Sequence, residues 1–167
     1  MFNRIAQNIE MSFNIPDSEK ETALEAKMYF EATDHALSLA IDHLGHLYDV
    51  FEKYTDISVQ SVIDNRGMLQ GRYSTAIKEN FNEVKKKALL AIRKLNYFST
   101  GDNSIRELII TFEESINDIE EPVTTLLNII QEDYDADGFR DKVIEAIDKI
   151  KKQVEDTQEV INERIKF

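Results

Sequence analysis

Acidic side chains crowd one stretch of the chain, at Glu107, Glu113, Glu114, Asp118, Glu120 and Glu121. Carboxylates at this density bind a basic protein surface or, where they converge on one point, a divalent cation. Arg106 is the only basic residue from 104 to 137, so little in the same stretch neutralises them. The choice between the two chemistries depends on whether these carboxylates face outward or inward.

A second acidic group, Asp133, Asp135 and Asp137, is followed directly by Gly138. This spacing resembles the first half of an EF-hand calcium loop. Position twelve of such a loop would be Ile144, so the bidentate glutamate that completes the coordination is missing. We expect weak calcium binding at most and no other cofactor, and the alternative is a turn in which Asp137 caps the next helix.

Three histidines, His35, His43 and His46, share one predicted helix with several carboxylates. At about 100° per residue, His35 and His46 lie on a stripe opposite the apolar face of that helix. Metal ligands in a helical bundle project inward. The pattern therefore indicates a solvated polar face and not a metal site.

The elements that carry these residues are helices, because only five glycines and two prolines interrupt 167 residues. Apolar periodicity and capping residues predict helices at about 18–54, 59–98, 104–132 and 139–166. We expect a single all-α domain over residues 1–167, an antiparallel up-down-up-down four-helix bundle whose first two helices are long. Phe2, Ile5 and Ile9 predict a short amphipathic segment within residues 1–16.

The third predicted helix has the clearest pattern in the chain, because its apolar residues alternate steps of three and four. This seam is formed by Ile105, Ile109, Phe112, Ile116, Ile119, Val123, Leu126 and Ile130. Pro122 falls within the seam, so we expect it to kink the helix or to restart it. The seam places Glu107, Glu114 and Glu121 farthest from the core, as an outward row of negative charge.

The hairpin between the first two predicted helices is expected to project beyond the rest of the bundle. Its tip, residues 43–69, is rich in apolar side chains, including Leu47, Phe51 and Tyr54. An apolar surface of this size is normally covered. We expect the tip either to fold back at Gly67 and Gly71 or to meet a second subunit in a homodimer.

The net charge of −12 argues against direct binding of nucleic acid or of an anionic membrane. The chain has no cysteine and no stretch of about 20 apolar residues that would cross a bilayer. These properties predict a soluble cytoplasmic protein with a basic protein surface as its partner.

The sequence favours a non-enzymatic protein-binding or regulatory module that uses the acidic helical face and the apolar hairpin tip. One alternative is an acidic mimic of nucleic acid that inhibits a nuclease or a DNA-binding protein. A second alternative is a divalent-metal-dependent enzyme, since the carboxylate density of the third helix resembles that of the magnesium-binding helices of all-helical nucleotide pyrophosphatases. The enzyme requires an inward carboxylate cluster.

Overall fold

The computed structural model describes residues 17–53, 61, 64–65, 67–97, 103–132 and 138–164. Most of them belong to four α-helices and one short π-helical segment, and none of them belongs to a β-strand. The α-helices are α1 (Asp17–Lys53), α2 (Ser74–Asn96), α3 (Asn103–Glu132) and α4 (Phe139–Arg164), and the π segment (Met68–Tyr73) directly precedes α2. The predicted all-helical class is therefore confirmed over the described ranges.

The bounds of α1, α3 and α4 lie close to the predicted ones over the described residues. In the second predicted helix, residues 61, 64 and 67 are helical, and the π segment separates them from α2. Gly67 and Gly71, which have low helix propensity, lie at the start of this π segment and within it. The predicted amphipathic segment in residues 1–16 lies outside the described residues. Within the described ranges, no helix has both the length and the apolar character needed to cross a membrane.

Apolar side chains from all four helices form the core. The predicted α3 seam is buried along its whole length. Phe112 of this seam meets Phe30 of α1 edge to face, with the ring centroids 5.0 Å apart. Phe81 and Ile92 of α2 also belong to the core.

Pro122 lies inside α3, and the helix continues through it. Because proline has no N–H group, the carbonyl of Asp118 lacks its usual intrahelical hydrogen bond. Such a proline costs a helix about 3 kcal/mol. Burial of Ile119 and Val123 on either side, about 1.5–3 kcal/mol for each side chain, offsets this cost. The predicted restart of the helix is therefore wrong.

Side-chain contacts show how α1 and α2 are aligned. Lys94, near the end of α2, forms an ion pair with Glu25, and Asn80 contacts His43. Residue numbers therefore fall along α1 as they rise along α2. Since α1 begins about two turns before Glu25 and α2 ends at Asn96, the start of α1 extends beyond the end of α2.

A buried polar cluster joins α3 to α4. The hydroxyl oxygens of Ser115 and Thr157 lie 2.7 Å apart, and Thr157 is fully buried. Gln153 Nε2 donates a hydrogen bond of 3.1 Å to the carbonyl of Ser115. These bonds satisfy the buried hydroxyls and fix the register of the two helices.

The π segment is attached to the end of α3 by two glutamines. Gln70 Nε2 donates to the carbonyl of Gln131 at 3.1 Å, and Gln131 Nε2 donates to the carbonyl of Gln70 at 2.7 Å. Gln131 also donates to the hydroxyl of Ser74 at 3.2 Å. The reciprocal pair provides a partner for one of the last carbonyls of α3, which have none within the helix.

Candidate functional site

The α3 acidic face consists of the six carboxylates that the sequence singled out, and all six are exposed. They are Glu107, Glu113, Glu114, Asp118, Glu120 and Glu121. Their orientation follows from the seam, because burial of the apolar stripe turns the remaining positions of α3 toward solvent. The described residues contain no group of three or more histidine, aspartate or glutamate side chains placed to share a metal ion.

Lysines from the neighbouring helices flank one end of this face. Lys85 of α2 forms an ion pair of 3.2 Å with Glu120. On the other side, Lys142 and Lys149 of α4 line a groove together with Asp118 and Glu121. Charges on the neighbouring helices therefore offset part of the negative charge at this end.

The opposite end of the α3 acidic face has a different composition. No ion pair among the described residues involves Glu107, Glu113 or Glu114. Ile110 lies between them in sequence and is 51% exposed. Positions 107, 110, 113, 114 and 117 follow the helical spacing of one face. An isoleucine therefore lies within a group of acidic side chains. The exposure of Ile110 could have been predicted from the sequence, because it follows Ile109 and is not part of the seam.

The apolar residues of the predicted tip that lie on α1 are mostly covered, whereas Met68 is 40% exposed. Leu47 is 1% exposed and Phe51 is fully buried, so neither is available to a partner. Phe51 contacts Phe139 of α4 edge to face, and the Arg140 side chain donates hydrogen bonds to the carbonyls of Phe51 and Glu52. The start of α4 therefore covers the end of α1. Most of the hairpin tip beyond Lys53 lies outside the described residues, so its projection stays a prediction. Tyr54 lies outside the described residues.

The other predicted ligands are dispersed or lie outside the described ranges. His35, His43 and His46 are all exposed, as expected for a solvated face. Asp133, Asp135 and Asp137 belong to residues 133–137, which are not described, so weak calcium binding there stays a prediction.

A second acidic groove, which the sequence did not indicate, lies between α1 and α4. Glu52, Asp141, Glu145 and Asp148 line it with two lysines. The negative charge of Asp148 raises the pKa of the nearby Tyr48 phenol, and desolvation, Glu52 and Asp49 add to the effect. The hydrogen bond with Glu25, together with its charge, likewise raises the pKa of Lys94. In both cases the main cause is a carboxylate of a neighbouring helix, Asp148 of α4 for Tyr48 and Glu25 of α1 for Lys94.

Comparison with protein-family models, with curated proteins and with solved structures finds no match for this chain.

Proposed function

We propose that the chain is a non-enzymatic protein-binding module that presents the α3 acidic face to a basic protein surface. The scaffold in this proposal is an antiparallel up-down-up-down four-helix bundle. The contacts of α2 with α1 and α3, and of α4 with α3 and α1, support that arrangement. The opposite numbering of α1 and α2 along their contact supports it as well.

We choose this part of α3 as the binding surface because Ile110 is exposed among Glu107, Glu113 and Glu114. Among the exposed large hydrophobic side chains of the described residues, Ile110 is the one that lies within the α3 acidic face. In protein interfaces, a few apolar or aromatic anchors surrounded by polar residues contribute most of the binding energy. Ile110 would be the anchor, and the carboxylates would form its rim.

The charges that flank the face limit the extent of this surface. Lys85 pairs with Glu120, and Lys142 and Lys149 line a groove with Asp118, Glu121 and Glu145, so part of the negative charge at that end is offset. The binding surface is therefore centred on residues 107–114. Carboxylates there would accelerate association with a basic partner, and salt would weaken the acceleration.

The experiment compares two variants of equal charge in affinity capture from lysate of the source cells. The test variant, Glu107→Gln with Glu113→Gln and Glu114→Gln, removes three charges from the proposed surface. The control variant, Glu155→Gln with Glu159→Gln and Glu163→Gln, removes three exposed charges from α4. We expect a partner captured at low salt to be retained by the control and lost by the test variant.

The kinetics of the captured partner then test the anchor separately. Ile110→Ser should weaken binding about tenfold through faster dissociation, whereas the charge variant should slow association. Equal loss with both triple variants would mean that net charge alone binds the partner, and the α3 surface would be rejected. Competition by duplex DNA would identify the partner's basic surface as a nucleic-acid groove, the case in which the chain acts as a nucleic-acid mimic.

A further inference from the structure

A pocket between α1 and the beginning of α2 has a composition unlike that of the other grooves in this acidic protein. It has a volume of about 400 Å³ and is lined on its polar side by His43, His46, Arg72 and Tyr73. Buried Leu47 and Ile77 lie beneath the pocket, and half-buried Ala76 and the ring of Tyr73 supply accessible apolar surface. Pockets of this size, mainly apolar with a few polar groups, are typical of sites for small molecules.

No carboxylate lines this pocket. Three other surface grooves of the described residues each contain at least one glutamate. Asp49 of α1, which is close in sequence, pairs with Lys53 at 3.4 Å and is not part of the lining. Arg72 is exposed, and no carboxylate among the described residues forms an ion pair with it. The chain as a whole has a net charge of −12, whereas the lining of this pocket contains an arginine and no carboxylate.

The polar groups are held in place by the surrounding structure. The Asn80 amide contacts Nδ1 of His43, which orients the imidazole ring and leaves its Nε2 for another partner. Arg72 and Tyr73 end the π segment, which the reciprocal bonds between Gln70 and Gln131 attach to α3. Segments of π-helix occur frequently at functional sites.

We infer that this pocket binds a small organic anion, a phosphate or carboxylate attached to an apolar body. The Arg72 guanidinium binds the anionic group, because its planar fork matches the geometry of both phosphate and carboxylate. His43 and His46, one helical turn apart on α1, and the Tyr73 hydroxyl supply further donors. The apolar body of the ligand packs against Ala76 and the ring of Tyr73, which are only half-buried. This site lies on α1 and α2, so it is independent of the α3 acidic face.

The test titrates the full chain with four probes and follows backbone amide signals by NMR. The probes are phenyl phosphate, phenylacetate, inorganic phosphate and neutral benzyl alcohol. We expect one of the two organic anions to bind with shifts confined to residues 43–47 and 72–77. Inorganic phosphate should bind more weakly because it lacks the apolar body, and benzyl alcohol more weakly because it lacks the charge.

Arg72→Gln should weaken binding of the better organic anion about tenfold, as expected when a charge-assisted hydrogen bond is lost. Arg93→Gln removes the same charge from an exposed position of α2 and should leave the affinity unchanged. The same spectra report whether both variants are folded. The inference fails if neither organic anion binds, if benzyl alcohol or inorganic phosphate binds as tightly, or if the two arginine variants behave alike.

Discussion

The hydroxyl of Thr157 shows how much one buried polar atom can contribute. It donates a hydrogen bond of 2.9 Å to the carbonyl of Gln153 and lies 2.7 Å from the hydroxyl of Ser115. Thr157→Val keeps the side-chain shape but leaves Ser115 without this partner. We expect the free energy of unfolding to fall by about 1–3 kcal/mol in urea denaturation.

An exposed threonine on α2 provides the control for that measurement. Thr75→Val should change the free energy of unfolding by no more than about 0.5 kcal/mol. Combining Thr157→Val with Ser115→Ala should recover part of the loss, because the stranded hydroxyl is then removed as well. If Thr157→Val and Thr75→Val give equal stabilities, the polar cluster does not hold α3 and α4 together.

At the scale of elements, the end of α1 is fastened to the start of α4. Phe51 is fully buried, its ring centroid lies 5.8 Å from that of Phe139, and Arg140 bonds to the last carbonyls of α1. Phe51→Ala should therefore lower the free energy of unfolding by about 3–5 kcal/mol. Sedimentation should show the same mass for the variant as for the parent, because the contact lies within one chain.

Leu39→Ala is the matched truncation, since Leu39 is a 46% exposed residue of the same helix. It should have little effect on stability. If Phe51→Ala changes the mass and leaves the stability unchanged, the contact of Phe51 with α4 of the same chain is contradicted. Phe51 would then lie in an interface between subunits.

The sequence predicted the faces of single helices well and their mutual offset poorly. The seam from Ile105 to Ile130 could be predicted because helical periodicity is local and fixes which side of α3 is buried. The offset of α1 depends on contacts such as those of Glu25 with Lys94 and Phe51 with Phe139, which join residues far apart in sequence. No local pattern encodes such pairs, so the coverage of Phe51 by the start of α4 could not be predicted from the sequence.

For the whole molecule, the dominant electrostatic quantity is the net charge of −12. Repulsion among exposed carboxylates destabilises the compact state, and salt screens it beyond about 10 Å at 0.1 M ionic strength. We expect the melting temperature to rise with sodium chloride concentration. Replacing Glu107, Glu113 and Glu114 by glutamine should raise it at low salt, and the difference from the parent should shrink at high salt.

The opposite trend would assign the larger effect to attraction within pairs such as Lys94 and Glu25. A melting temperature that falls as salt is added would show that screening removes more stabilisation than repulsion. Sucrose at matched osmolarity provides the control, because it strengthens burial without screening charges.

The candidate sites could be predicted from the sequence only where one helix contains them entirely. Exposure of the carboxylates on α3 followed from the seam, but the lysines at positions 85, 142 and 149 come from other helices. The pocket that joins His43 to Arg72 likewise requires the alignment of α1 with α2. Composition gives the total charge of the chain, and only the packing of the helices determines where that charge is cancelled.

The bonds between Arg140 and the end of α1 also bear on the order in which the chain folds. Arg140 and Phe51 are 89 residues apart in the sequence, whereas α3 and α4 are consecutive helices. Closing the longer loop costs more chain entropy, so we expect this contact to form after the helical hairpins. Interactions that are absent from the folding transition state act mainly on the unfolding rate. Phe51 and Arg140 would then determine the lifetime of the native state, while the speed of its formation depends on the hairpins.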